Sequence, residues 1–160
     1  MAKERIPSTP AIRMLKEHGV DFTVRPYKYE ERGGTRIAAR ELGINEHSAV
    51  KTIVMEDDGE HPFIVLMHGD KEISTKTMAR ILESKTVTPC NPQTALKHTG
   101  YVVGGTSPFG TKKTLPTYVE KTILDLPKIF INGGKRGLLV EMSPGDLVSI
   151  LNPKAVSVGY

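Results

Sequence analysis

The sequence has few of the features that mark secreted and membrane proteins. Cys90 is its one cysteine, so no intramolecular disulfide can form. The longest apolar runs, such as residues 63–67, are far shorter than the roughly 20 residues that a membrane-spanning helix needs. The first ten residues contain no apolar stretch of the kind found in a signal peptide. We therefore expect a cytoplasmic protein that inserts into no membrane.

The usual catalytic sets of hydrolases are also missing. None of the histidines has the spacing typical of zinc enzymes, and we interpret all five as scattered surface or turn residues: His18, His47, His61, His68 and His98. No Gly-x-Ser-x-Gly nucleophile motif occurs. Cys90 has no basic neighbour in sequence to lower its pKa, so we expect it to be structural. The sequence predicts neither a metal site nor another cofactor, and it indicates no side-chain nucleophile.

Length, composition and charge indicate the number of domains and the type of binding partner. The 160 residues, 38% of them apolar, are enough for one compact domain over residues 1–160 with a core and one cleft. The 22 Lys and Arg residues exceed the 18 Asp and Glu residues, which gives a net charge of +4. This excess favours a polyanionic partner without identifying it.

The pattern of caps, glycines and β-branched residues predicts more strands than helices. Helices are expected at 10–18, 36–42, 75–82, 92–99 and 144–151, capped by Thr9, Thr35, Ser74, Asn91 and Ser143. Strands are expected at 20–29, 50–55, 63–67, 117–119, 128–131, 138–142 and 155–158, with at most a short one at 86–88. Because strands and helices do not alternate, we predict an α+β fold with a strongly curved mixed β-sheet surrounded by helices.

Two glycine-rich segments could carry chemistry. The first glycine loop comprises residues 104–110, and the second glycine loop comprises residues 132–137. Clustered glycines let backbone N–H groups converge on an oxygen or phosphate. Lys112 and Lys113 follow the first loop, and Lys135 and Arg136 lie inside the second. Ordinary tight turns with solvated charges would have the same appearance, so at this point both interpretations stay open.

Several segments resemble the YbaK/EbsC family in the same order along nearly the whole chain. They are residues 9–11 (Thr-Pro-Ala), 50–52 (Val-Lys-Thr), 99–110 (Thr-Gly-Tyr-Val-Val-Gly-Gly-Thr-Ser-Pro-Phe-Gly) and 133–137 (Gly-Gly-Lys-Arg-Gly). The resemblance implies a relative of the insertion editing domain of bacterial prolyl-tRNA synthetase, most often a Cys-tRNA(Pro) deacylase. It also implies a barrel-like sheet.

The resemblance assigns roles to individual residues. Lys51 corresponds to the family's functional lysine, expected to hold the 3′-terminal adenosine or its phosphate near the scissile ester. Gly104 and Pro108 correspond to a Gly-x-x-x-Pro element whose backbone lines the aminoacyl pocket. Further substrate-binding residues are expected in the two loops and after the first strand: Tyr27, Gly105, Thr106, Ser107, Gly134, Lys135 and Arg136.

Two departures from the family pattern concern the pocket. The segment Gly33-Gly34-Thr35 lacks an aromatic residue expected at the pocket mouth, and Leu139 stands where some members have Asp or another polar residue. Both put the amino-acid specificity in doubt more than the reaction.

The expected function is therefore trans-editing. The resemblance implies deacylation of Cys-tRNA(Pro), in which the substrate's thiol attacks its own ester, with tRNA and prolyl-tRNA synthetase as partners. Deacylation of another aminoacyl-tRNA, such as Ala-tRNA(Pro), is an alternative. A non-catalytic module that binds an RNA end or a nucleotide is another.

Overall fold

The structure is a computed structural model that describes residues 6–160. Over these residues the chain forms five helices and two short 3₁₀ turns, the latter at Glu46–Ser48 and Lys121–Asp125. The helices are α1 (Pro10–Glu17), α2 (Gly34–Leu42), α3 (Thr75–Ile81), α4 (Pro92–Thr99) and α5 (Pro144–Leu151). None of the described helices is long and apolar enough to cross a membrane.

Side-chain caps start four of the five helices at the predicted residues. Each capping side chain accepts a hydrogen bond from the N–H three residues further on, and the caps are Thr9, Ser74, Asn91 and Ser143. The predicted cap of α2 is wrong, because Thr35 lies inside that helix and Gly33 precedes it without a side-chain hydrogen bond. The Thr35 hydroxyl instead lies 2.9 Å from a carboxylate oxygen of Glu46.

Eight strands form one mixed sheet over the described residues. They are β1 (Thr23–Pro26), β2 (Ala49–Asp57), β3 (Pro62–His68), β4 (Val87–Pro89), β5 (Thr117–Glu120), β6 (Ile129–Asn132), β7 (Leu138–Met142) and β8 (Lys154–Val156). Their order is β1-β7-β6-β2-β3-β5-β8, and β4 pairs with β2 beside this path. The sheet stays open between β1 and β8. The predicted α+β class with a mixed sheet is confirmed.

The sheet is mixed because β2 to β6, β3 to β5 and β5 to β8 are parallel pairs and the others are antiparallel. The predicted hairpin at residues 57–59 joins β2 to β3 in an antiparallel register from Val50 opposite His68 to Glu56 opposite Pro62. The predicted strand over 20–29 is shorter, and only its middle pairs, with β7.

Two hydrophobic clusters make up most of the core. The larger one joins α1, the first glycine loop and one face of the central strands, and its fully buried members include Leu15, Phe109 and Ile131. The second cluster packs α3 against β3 and the chain end, with Met67 and Met78 at its centre. The first glycine loop is thus fixed to the core at its C-terminal end, where Phe109 is buried.

The interpretation of the histidines as scattered surface or turn residues is wrong for His68. Its side chain is fully buried on β3, and its ring stacks on that of His47 with 3.7 Å between ring centroids. Its Nδ1 lies 2.7 Å from the His47 carbonyl oxygen, and its Nε2 lies 2.7 Å from the Thr122 hydroxyl. A carbonyl can only accept, so Nδ1 carries the proton and Nε2 accepts from Thr122. Both ring nitrogens therefore have protein partners.

Candidate active site

A cavity of about 650 Å³ opens beside the central strand β2. It lies where the sheet divides. On this edge of β2, β6 pairs with Ala49 and Val50, and β4 pairs with residues 55–57. Neither strand pairs with residues 51–54, although the N–H of Cys90, just after β4, donates to the Val54 carbonyl at 2.9 Å. Residues 51–54 line the cavity. The site therefore lies in a gap between two strands.

Lys51 is the first residue of this uncovered stretch. Its side chain is 21% exposed, and its ammonium nitrogen lies 3.6 Å from a carboxylate oxygen of Glu72. Glu72 is 73% exposed, so water and salt weaken this ion pair. Lys51 thus presents a cation at the cavity, and an incoming anion can replace Glu72 as its partner.

Thr52 follows Lys51 in the same stretch of cavity wall. Its hydroxyl oxygen is buried and has no hydrogen-bond partner among residues 6–160. A buried hydroxyl without a partner costs about 1–3 kcal/mol. Such an atom in a cavity wall is a candidate contact for a bound polar group.

Two side chains of the second glycine loop bind the start of the first glycine loop and the residue before it. The Asn132 amide donates to the Gly104 carbonyl at 3.1 Å, and Nε of Arg136 donates to the Val103 carbonyl at 2.8 Å. The two loops also touch directly, because a Cβ added at Gly105 would lie 2.9 Å from the backbone nitrogen of Arg136. The two loops therefore form one wall.

Tyr29 completes this wall with an aromatic ring. The guanidinium carbon of Arg136 lies 5.2 Å from the centre of that ring, within the range of a cation–π contact. Gly104 has φ +84°, and a Cβ there would lie 2.7 Å from the Tyr29 hydroxyl oxygen. A side chain at residue 104 would therefore combine an unfavourable positive φ with a close contact that Tyr29 has to relieve.

Tyr27 and Leu139 form the base of the site next to α2. Both line the cavity, and Leu139 packs in a small apolar cluster with Ala38 and Phe130. Burial raises the pKa of Tyr27, partly offset by a hydrogen bond from the backbone at Gly137. The phenol is neutral at pH 7 and can act as a donor.

Cys90 also lines the cavity, on the side of β4. Burial, helped by the neighbouring Glu56 carboxylate, raises the pKa of its thiol to about 11. Because the thiolate is the nucleophilic form, this thiol is unreactive at neutral pH. Among the described residues that line the cavity, none is a histidine, and Glu31 is the only carboxylic acid.

The structure brings half of the predicted site residues together around the cavity: Tyr27, Lys51, Gly104, Thr106 and Arg136. The other five lie behind or beside the wall. Ser107, Pro108 and Gly105 are buried, and the Ser107 hydroxyl accepts from the Phe109 N–H inside the loop. Gly134 packs against Tyr101, and Lys135 is exposed.

Sequence reasoning missed Tyr29, Thr52 and Asn132 as cavity residues. Tyr29 is two residues from Tyr27 within the predicted strand over 20–29, and that spacing would put both side chains on one face. Asn132 directly precedes Gly133-Gly134, and its side chain accepts from the N–H of Gly134 at 2.7 Å, as asparagine does in turns. Tyr29 also places an aromatic ring at the cavity, although the Gly33-Gly34-Thr35 segment has none.

Three residues with metal-ligand atoms lie close together, and none of them lines the cavity. One ligand atom each from His47, His68 and Asp70 lie within 4.8 Å of one another. The His47 Nδ1 is 2.9 Å from the Asp70 carboxylate. Since both nitrogens of His68 already have protein partners, these residues form a hydrogen-bonded structural unit.

Comparison with known proteins gives a consistent result. Residues 34–150 match the family model of the aminoacyl-tRNA editing domain. The chain is 30% identical over 154 residues to EbsC of Enterococcus faecalis, covering 95% of this chain and 94% of that protein. EbsC is named as a proposed Cys-tRNA(Pro)/Cys-tRNA(Cys) deacylase. A proline–tRNA ligase of Thermodesulfovibrio yellowstonii is 24% identical over 112 residues, covering 70% of this chain and 18% of the ligase.

Solved structures share the fold. The hypothetical protein APE2540 superposes with a TM-score of 0.86 at 24% identity, covering 95% of this chain and all of that one. A protein described as a candidate trans-editing enzyme for prolyl tRNA synthetase superposes with a TM-score of 0.83 at 19% identity, covering 96% of this chain and 99% of that one.

Proposed function

Since this chain belongs to the aminoacyl-tRNA editing domain family, we propose that it hydrolyses the ester of a mischarged tRNA in the cavity beside β2, with Cys-tRNA(Pro) as its substrate. The observation that carries the proposal is the cavity itself. It combines Lys51, an unpartnered hydroxyl at Thr52 and the wall made by the two glycine loops. Such a site can hold the ester end of a polyanion.

The nucleophile comes from the substrate. The cysteinyl thiol gives up its proton, and its sulfur attacks the ester carbonyl carbon. The bond from that carbon to the ribose oxygen breaks, the ribose oxygen takes up a proton, and water later opens the resulting cyclic thioester. The cavity wall supports this route, because its own thiol at Cys90 is protonated at neutral pH.

The protein then contributes positioning and oriented dipoles. Lys51 holds the 3′-terminal adenosine or its phosphate, while the first glycine loop presents its backbone to the aminoacyl group. Fixing the reacting atoms in an attack geometry can supply about 7–11 kcal/mol of a barrier. Oriented backbone donors add to this where charge develops on the carbonyl oxygen.

Such an enzyme serves a discrimination that binding alone cannot achieve. A synthetase pocket that accepts proline excludes a slightly smaller amino acid weakly, since one methylene is worth about 1–3 kcal/mol. Prolyl-tRNA synthetase is accordingly the second partner in this proposal. It would deliver the charged tRNA that the chain corrects.

The test is a deacylation assay with three substrates. Purified protein is incubated with Cys-tRNA(Pro), Ala-tRNA(Pro) and Pro-tRNA(Pro), and the loss of the labelled amino acid is followed. We expect rapid loss from Cys-tRNA(Pro), little from Pro-tRNA(Pro), and at least about a tenfold loss of rate in Lys51→Ala. Preferential cleavage of Ala-tRNA(Pro) would instead assign the chain to alanine editing, and tRNA binding without any cleavage would identify a binding module.

Two control variants separate site effects from structural ones. Cys90→Ser keeps the size of a side chain that lines the cavity and should retain activity. Lys154→Ala removes an exposed lysine from the edge strand β8, which does not line the cavity, and should also retain activity. Lys51→Ala with wild-type turnover would remove Lys51 from the site.

A further inference from the structure

A basic cluster lies at the C-terminal end of α4. Lys97 and His98 occupy the last turn of the helix, and Lys112 and Lys113 follow the first glycine loop. Backbone hydrogen bonds hold the two segments together, from Lys112 to the Thr99 carbonyl at 2.9 Å and from Lys113 to the His98 carbonyl at 3.0 Å. We refer to Lys97, His98, Lys112 and Lys113 as the basic corner.

The charges of the basic corner are close together. The Lys113 ammonium lies 3.2 Å from Nδ1 of His98. Burial lowers the pKa of His98, and the charges of Lys113 and Lys97 lower it further, while Glu56 acts weakly in the opposite direction. Among the described residues, no salt bridge involves any of the three lysines of the corner.

Helix stability explains only part of this arrangement. Cations in the last turn complement the helix dipole, which accounts for Lys97 and His98. Lys112 and Lys113 belong to another segment, and both are exposed. Their addition to the same corner concentrates like charges, which costs free energy unless an anion is bound.

Both segments of the basic corner continue from elements that line the cavity. Ala95 of α4 lines the cavity, and Lys97 and His98 lie about 3–5 Å further along the helix axis at 1.5 Å per residue. The first glycine loop contributes Gly104 and Thr106 to the cavity wall and ends two residues before Lys112.

We propose that the basic corner binds the phosphate backbone of the RNA immediately beyond the acylated 3′ terminus. This inference rests on the proposed function, because it takes the RNA end to lie in the cavity. A single-stranded 3′ end carries one negative charge per nucleotide, and the nucleotides outside the cavity need cations along their path. Lysine suits this role as a flexible point charge that reads no sequence.

The corner should therefore contribute affinity for RNA and leave the chemical step unchanged. Each lost phosphate contact on a single strand lowers the salt slope of binding, the change in log K with log salt, by about 0.7. Replacing Lys112 and Lys113 should flatten it by about 1.4. In this variant the KM for tRNA should rise, and kcat at saturating tRNA should remain unchanged.

The experiment compares a charged tRNA with a substrate too short to reach the corner. Lys112→Ala/Lys113→Ala is assayed on Cys-tRNA(Pro) and on 3′-O-cysteinyl adenosine. We expect kcat/KM on the tRNA to fall by at least about tenfold at low salt, and kcat/KM on the adenosine ester to equal that of the wild type. Lys121→Ala/Lys154→Ala removes the same charge from exposed residues directly after β5 and in β8. This matched control should lose far less kcat/KM on the tRNA.

Binding of uncharged tRNA, measured by filter retention across a salt series, tests the corner independently of catalysis. An unchanged slope in the Lys112→Ala/Lys113→Ala variant would overturn the inference, as would an equal loss in the control variant. A comparable loss on the adenosine ester would also overturn it, because the corner would then act inside the cavity. If the wild type cleaves neither substrate, the proposed function fails. The salt slope of tRNA binding then still decides whether the basic corner binds RNA.

Discussion

Thr52 is the residue whose local chemistry most clearly favours binding over stability. Its buried hydroxyl has no partner among the described residues, so Thr52→Val should leave the free energy of unfolding unchanged or raise it by about 1 kcal/mol. Deacylation should fall by about tenfold if the hydroxyl binds the substrate. Urea unfolding and single-turnover deacylation measure the two effects. Thr52→Ser, which keeps the hydroxyl, should retain activity, and a fully active Thr52→Val would assign the hydroxyl no role in the reaction.

Gly104 gives a second prediction for a single residue. In Gly104→Ala the methyl group would lie 2.7 Å from the Tyr29 hydroxyl oxygen, at a residue whose φ is +84°, so either Tyr29 or the first glycine loop has to shift. We expect a loss of about 1 kcal/mol in unfolding free energy and a larger loss of activity. Gly145→Ala is the matched control, because a Cβ there meets nothing closer than 3.8 Å and the position lies in a helix.

Tyr29→Ala in the Gly104→Ala background separates crowding from backbone strain. If crowding dominates, the double variant should recover part of the lost stability. No recovery would identify the positive φ as the main cause of the loss. Wild-type activity in Gly104→Ala alone would remove the loop conformation from the account of catalysis.

At the scale of elements, Arg136 makes one of the two side-chain hydrogen bonds that join the second glycine loop to residues 103 and 104. Arg136→Lys keeps the charge but loses the Nε–H that binds the Val103 carbonyl and the planar group over Tyr29. We expect kcat to fall by about tenfold, while the salt slope of tRNA binding stays the same. Lys135→Ala, a change at the exposed neighbour, should flatten the slope and spare kcat. A wild-type kcat in Arg136→Lys would show that neither the Nε–H nor the planar group contributes to the reaction.

Elements with local signals could be predicted from the sequence. The caps at Ser74 and Asn91 act within three residues, so their chemistry is visible in the chain itself. Thr35 failed as a cap because its hydroxyl contacts Glu46 and Gly69, which only the folded chain brings near it. The gap beside residues 51–54 depends on β4 and β6, which are distant in sequence.

The same contrast between local signals and distant contacts applies to single residues. The family resemblance predicts Lys51 and Gly104 as site residues, and both line the cavity. Thr52 could not be predicted, because the sequence does not show that its buried hydroxyl lacks a partner. The burial of His68 was missed because its partners, His47 and Thr122, are 21 and 54 residues away.

At the scale of the whole molecule, His68 should make stability depend on pH. Burial lowers its pKa below the ordinary value of 6.5, while His47, Asp70 and Glu120 face it with charges of both signs. The unfolded chain therefore binds more protons than the native one just below pH 6.5. The free energy of unfolding should fall as the pH drops from 6.5, with a slope of at most about 1.4 kcal/mol per pH unit for one proton.

Urea unfolding at pH 7.5, 6.5 and 5.5 measures this dependence. His68→Gln should flatten it, and His98→Gln should change it less, since His98 is only partly buried in the structure. An unchanged slope in His68→Gln would show that another group is responsible.

Deacylation of Cys-tRNA(Pro) and Ser-tRNA(Pro) by the wild-type protein tests the central claim most directly. Serine and cysteine are close in size, so both esters should enter the cavity. A thiol with an ordinary pKa near 8.5 is partly ionised at neutral pH, whereas an alcohol is not. If the substrate supplies the nucleophile, the cysteinyl ester should be cleaved at least about a hundredfold faster at saturating tRNA. Equal rates for the two esters would contradict the account and indicate a nucleophile supplied by the protein or by water.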